Sequence, residues 1–136
     1  MQTRAFNRDE GRIVETSRGL EIFGRILLAA IFVSSGVGKL VGWPAVVGSI
    51  GGKGVPFPEI VGVAVIVLEL CGALALVSGW GARWAAVALA IFTAAASFLY
   101  HPFWAVEATQ YMNQFNHFMK NVAIIGGLCV VAARRP

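Results

Sequence analysis

Four long stretches of the chain are built almost entirely from apolar residues: 20–41, 57–78, 82–100 and 115–133. Polar and turn-forming residues collect between them. Each stretch has about the 20 residues that a helix needs to cross a ~30 Å hydrocarbon core. Barrel strands would run to only about 10 residues and alternate in polarity, which these stretches do not. Open sheets are excluded in lipid, where their edge groups find no partner. The pattern predicts an all-α integral membrane four-helix bundle over residues 20–136, preceded by a polar arm over residues 1–19. Phe6, Ile13 and Val14 give the arm a weak apolar side, which leaves a short surface helix and a disordered tail both open. The first apolar run is longer than the ~7–15-residue core of a secretory signal, and no A-x-A site follows it, so it reads as a retained span.

The connections are readable in outline. "GWPAVVGSIGGKGVPFPE" follows the first span, and its glycines and prolines predict irregular backbone. Pro44 ends the first helix or begins a new segment, and "WPAVVGSI" fits a short interfacial helix. Glu59 is well placed for the dipole of the second span. "SGWGAR" is a tight turn between the second and third spans. "HPFWAVEATQYMNQFNHF" joins the third to the fourth, and Phe103, Trp104 and Tyr111 fit an aromatic belt. Ser34, Gly38 and Gly42, and again Ala86, Ala90 and Ala94, recur every four residues and predict faces for close helix approach.

Composition agrees with the pattern. Hydrophobic residues make up 57%, charged residues 13%, and the mean hydropathy is +0.73. Soluble domains carry about 25% charged residues, so too little polar surface exists here to cover a water-soluble sphere. Arg4, Arg8, Arg12, Arg18, Arg83, Arg134 and Arg135 all fall on one side of a four-span topology, against Lys53 in the loops of the other. The positive-inside rule then places both termini in the cytoplasm. Nucleic-acid binding does not fit, since the arginines flank spans instead of interleaving with aromatics on a soluble face. Cys71 and Cys129 lie in the cytoplasmic halves of their spans and form no C-x-x-C, so they read as reduced packing residues.

Polar groups inside the spans carry the candidate chemistry. Glu69 lies about 11 residues, roughly 16 Å, into the second span. A charge near the midplane costs at least ~2.5–3.5 kcal/mol, so it should face the interior and find a partner. On depth alone Arg25 or Lys120 is that partner, while Lys39 is near enough to the outer surface to snorkel outward. Asn113, His117, Lys120 and Asn121 follow i, i+4, i+7, i+8 and share one face of the fourth span. With His101 they predict a polar pocket open to the outside, with the Glu69 carboxylate as its floor. The same residues also fit a buried structural network or a subunit interface. No metal site is expected, because His101, His117 and Glu107 have no ligand spacing. No nucleophile–base pair, P-loop or Rossmann fingerprint is present.

The motifs "GRILLAAIFVSSGVGKL", "LELCGALALVSG", "GARWAAVALAIFTAAASFLYHPFW" and "NQFNHFMKNVAIIGGL", in that order, resemble the DoxX family of small bacterial four-helix membrane proteins. The resemblance covers about residues 22–133. It implies recurring polar positions at Arg25, Lys39, Glu69, His101, Lys120 and Asn121. The long charged arm and His117 depart from the usual family pattern. By analogy the resemblance implies a quinone- or thiol-linked redox role, and fold is a weak guide to function.

Two functions are expected on this basis. The first is a redox-linked accessory protein that binds a quinone or a small thiol-derived ligand. Glu69 would accept or relay a proton and Arg25 or Lys120 would tune it, while Lys39, His101, Asn113, His117 and Asn121 would line the ligand. No intrinsic cofactor is expected, since flavin, haem and iron–sulfur motifs are all missing, and any enzyme activity would belong to a larger membrane oxidoreductase. The second is a scaffold or assembly subunit, meeting a redox partner or another copy through its small-residue faces. A transporter fits less well, because four short helices leave little room for alternating access.

Overall fold

The computed structural model describes the backbone of residues 2–134 and the side chains of residue 8 and residues 10–134. The side chains of Arg4 and Phe6, and Arg135 as a whole, lie outside the described residues. Among the described residues five helices make the fold: α1 (Gln2–Val41), α2 (Trp43–Gly52), α3 (Pro58–Ser78), α4 (Ala82–Tyr100) and α5 (Ala108–Ala133). A single 3₁₀ turn, Phe103–Ala105, joins α4 to α5. Four of the helices are long and apolar enough to cross a membrane, and no strand occurs among the described residues.

No proline interrupts α1, so the arm does not separate from the first span. The helix runs on for 40 residues, about 60 Å at ~1.5 Å per residue. It gives way at Gly42, the N-cap of α2, with Pro44 in the first turn beyond. There α2 folds back over the start of α3. The Trp43 ring lies against Gly62, where a Cβ would sit 3.0 Å from it, and Ile50 is buried beside it. Between α3 and α4 the chain reverses through Gly79 and Gly81, both at positive φ (83° and 67°), which glycine adopts without a Cβ clash.

The spans alternate in direction. Gly36 faces Leu70, Arg25 faces Gly79, and Gly72 faces Leu89, so α1, α3 and α4 run antiparallel in turn. Asn121 bonds Ser97 across α4 and α5. Leu28 against Gly127 and Glu21 against Arg134 return α5 to α1. Both described chain ends and the 79–81 turn therefore share one end of the bundle, the terminal end. The α2 segment and the 3₁₀ turn make the other, the loop end.

The core is small-sided. Ala29, Phe32, Ala73, Leu76, Ala86, Leu89 and Leu128 are buried together. Lipid gives helices no hydrophobic reason to associate, so close van der Waals approach must hold them. Gly36 and Gly72 provide it, because a Cβ at either would stand 2.8–2.9 Å from a neighbouring leucine. The close face of α1 is thus not Ser34/Gly38: Ser34 is exposed, and nothing lies within 4 Å of a Cβ at Gly38. On α4, Ala86 is buried, while Ala90 and Ala94 are half-buried.

Candidate functional site

Glu69 stands near the middle of α3 and is only 2% exposed. Its partner is Lys39, neither Arg25 nor Lys120. Lys39 Nζ donates to both carboxylate oxygens at 3.0 Å, and Ser35 Oγ donates to Oε1 at 2.8 Å. Lys39 also donates to Ser35 Oγ, so the three groups close a ring. The physical reason lies in side-chain direction. Helical side chains lean toward the helix N-terminus. Lys39 is near the loop end of α1, and its lean carries the ammonium inward instead of outward. Glu69 belongs to an antiparallel helix and leans to meet it. Ser35, one turn before Lys39, falls on the same face.

Arg25 is set by the same register. Since α1 pairs residue 36 with 70, it pairs residue 25 with 79, well away from Glu69. The Arg25 guanidinium packs on the Gly79 turn, where a Cβ would stand 2.8 Å from Nη1, and its buried Nε has no partner among the described residues. This is the C-terminus of α3, where unpaired carbonyls favour a cation. Arg25 thus serves the terminal end of the bundle.

A second polar group joins α4 and α5. Asn121 Nδ2 donates to Ser97 Oγ at 2.9 Å, and Ser97 in turn donates to the Thr93 carbonyl at 2.6 Å. His101 Nδ1 donates to Gln114 Oε1 at 2.9 Å, and the His101 and His117 rings stack with centroids 4.9 Å apart. The residues expected as an aromatic belt form a packed cluster beside them. Phe103 meets Trp104, Phe115, Phe118 and Tyr111 edge-on, with centroids 5.0–5.8 Å apart. That cluster fixes the 3₁₀ turn against α5 and so sets where the histidines stand.

The expected polar set therefore divides. Lys39 and Glu69 come together with Ser35, and His101, His117 and Asn121 gather between α4 and α5. Asn113 and Lys120 are exposed. Among the described residues no hydrogen bond joins Glu69 to α5. No group of three or more His, Cys, Asp or Glu side chains fit for a metal occurs there either. Cys71 and Cys129 are free and exposed, so they do not pack the interior as expected. Sequence reasoning missed Ser35, Ser97, Thr93 and Gln114. Each was findable as a hydroxyl or amide one turn from, or facing, a singled-out residue.

Between α1 and α5 runs a seam. In its terminal half the helices touch through Glu21–Arg134 and Leu28–Gly127, and a mainly apolar groove of about 430 Å³ opens between them. These pairs lie seven residues apart on each helix. Away from that groove, Lys39 keeps 27% of its side chain exposed, while that of Glu69 is 3% exposed.

In sequence the chain is similar to bacterial inner membrane proteins. The DoxX family model matches residues 20–102. The chain is 33% identical to inner membrane protein YqjF of Escherichia coli (strain K12) over 115 residues, covering 85% of this chain and 83% of that one. It is 26% identical to inner membrane protein YphA of the same organism over 117 residues, covering 86% and 84%. No solved structure matches. The four spans and these relatives agree on a multi-pass inner membrane protein.

Proposed function

The chain belongs to the DoxX family, and from that premise we propose that it is a redox-linked accessory protein. It takes a quinone or a small thiol-derived ligand against the Lys39–Glu69–Ser35 group. The observation that carries this reading is the uneven closure of the ion pair: the Glu69 side chain is 3% exposed, yet the Lys39 side chain is 27% exposed. A group serving packing alone gains from closing both partners, because each exposed charge in a span is costly. A lysine open on one side can meet a ligand's acceptor oxygen while Glu69 stays buried. Glu69 then holds the proton balance of the site, and Ser35 passes a proton between carboxylate and ligand. His101, His117 and Asn121 offer hydrogen bonds from the α4–α5 side. The termini lie in the cytoplasm, since Arg8, Arg12, Arg18, Arg83 and Arg134 mark the terminal end against Lys53 at the loop end.

The test is direct titration of the purified protein with a short-chain ubiquinone analogue, followed by tryptophan quenching. Wild type should bind, and Glu69→Gln should weaken binding tenfold or more while circular dichroism stays helical. A folded Gln variant that binds as well as wild type would contradict the proposal. A scaffold role has one observation of its own: the exposed Ser34 and the open Gly38 have no partner inside the bundle. If that face meets another copy, Gly38→Leu reduces the particle size in mild detergent.

A further inference from the structure

We propose that the groove between α1 and α5 holds one anionic phospholipid of the leaflet at the terminal end, with an acyl chain in the slot and the phosphate on Arg134. The groove measures about 430 Å³, within the range of ligand sites. Its lining changes character along its length. Ser17, Glu21 and Arg134 stand at the terminal end, while Leu28, Gly127 and Val131 line the part deeper in the spans. Ser17 and Leu28 are 11 positions apart, about 16 Å along the helix. An elongated apolar slot with polar groups at one end matches the build of a lipid and not that of a compact polar solute.

The slot exists because the two helices touch at two points and leave a gap between them. Leu28 lies against Gly127, where a Cβ would stand 3.1 Å from it, and Arg134 bonds Glu21. Between those ties Gly24 presents no side chain, and a Cβ there would meet nothing within 4 Å. Leu20, also on the lining, is 70% exposed. Of the four spans, α1 and α5 are the least covered by the rest of the bundle. An open slot leaves its lining short of dispersion partners, and an acyl chain supplies them.

Charge at the rim selects the lipid. Arg134 Nη1 donates to Glu21, yet the arginine side chain stays 52% exposed. A guanidinium has five N–H donors, so the fork keeps donors for phosphate oxygens while Glu21 holds it in place. Seven arginines flank the terminal end, against four carboxylates at Asp9, Glu10, Glu15 and Glu21. That end is therefore positive, as the cytoplasmic side is, and basic pockets between spans on that side take anionic headgroups. Lys39 lies 11 positions beyond Leu28, about 16 Å further along α1. The lipid site is thus separate from the ion pair, and the two stand or fall independently.

The experiment places the full chain in nanodiscs of equal parts phosphatidylglycerol and phosphatidylcholine. Native mass spectrometry then counts the lipids kept by the released protein. Wild type should keep one lipid and favour phosphatidylglycerol about fivefold, the effect of one basic side chain at a membrane surface. Arg134→Gln should keep a lipid and lose the preference. Gly24→Leu, which fills the slot, should lose the retained lipid of either kind. Circular dichroism checks that each variant is folded, and Arg134→Gln, at the surface, tests the headgroup contact alone if Gly24→Leu unfolds. No retained lipid on wild type overturns the proposal. So does retention unchanged in a folded Gly24→Leu, which puts the lipid elsewhere on the bundle. Equal retention of both lipids by wild type, or a preference kept by Arg134→Gln, takes the phosphate away from Arg134 and overturns it as well.

Discussion

Two helix pairs in this bundle hold polar groups inside the membrane by different means. Between α1 and α3 the means is charge: a buried carboxylate, an ammonium and a hydroxyl in a closed ring. Between α4 and α5 it is a neutral ladder from Asn121 through Ser97 to the Thr93 carbonyl, beside a packed aromatic cluster. Charge leaves no slack, because removing one partner strands the other in low dielectric. A neutral ladder loses one hydrogen bond at a time, and the freed group finds another partner. The first pair is thus the place where a change of charge is felt throughout the bundle. The second keeps the helices in register and tolerates change.

The sharpest way to break this contrast is Lys39→Met. It should lower stability by about 3–5 kcal/mol, because Glu69 stays buried and unpaired. Adding Glu69→Gln to it should recover part of the loss in a detergent unfolding titration. Gly36→Leu comes next: it drives a side chain into Leu70 and should cost about 2–3 kcal/mol. Gly79→Ala should cost about 1–2 kcal/mol, from positive φ and from the Arg25 guanidinium in the way. Asn121→Ala should cost only about 0.5–1 kcal/mol, since it removes one neutral bond. Gly38→Leu should leave the unfolding midpoint of the monomer unchanged within about 0.5 kcal/mol, because open space surrounds it.

The spans were legible in the sequence because each apolar run has the length that lipid demands. The turns were legible at Gly79, Gly81 and Pro102, where backbone chemistry decides locally. The partner of Glu69 was not. Depth orders residues along one axis, and Arg25, Lys39 and Lys120 all lie within a lysine's or arginine's reach of the midplane on that axis. Choosing among them needs rotation and antiparallel register, which depend on how α2 folds back. The inward lean of Lys39 was readable from the direction of α1, and a general expectation of snorkelling concealed it. Ser34 and Gly38 show the same limit from the other side. Their spacing is right for close approach, but Gly36, two residues away, faces α3. For the arm the sequence left a short surface helix and a disordered tail open, and α1 instead runs through it unbroken: Gly11 and Gly19 weaken that helix, but no proline forbids it.

The pairing of Lys39 with Glu69 is decided by a double-mutant cycle on stability. Lys39→Met and Glu69→Gln are combined, beside the equivalent cycle with Lys120→Met. The Lys39–Glu69–Ser35 ring predicts a coupling of about 2–3 kcal/mol between Lys39 and Glu69 and less than about 0.5 kcal/mol between Lys120 and Glu69. Coupling that sits instead with Lys120 would contradict it, and would put the carboxylate in the α5 seam.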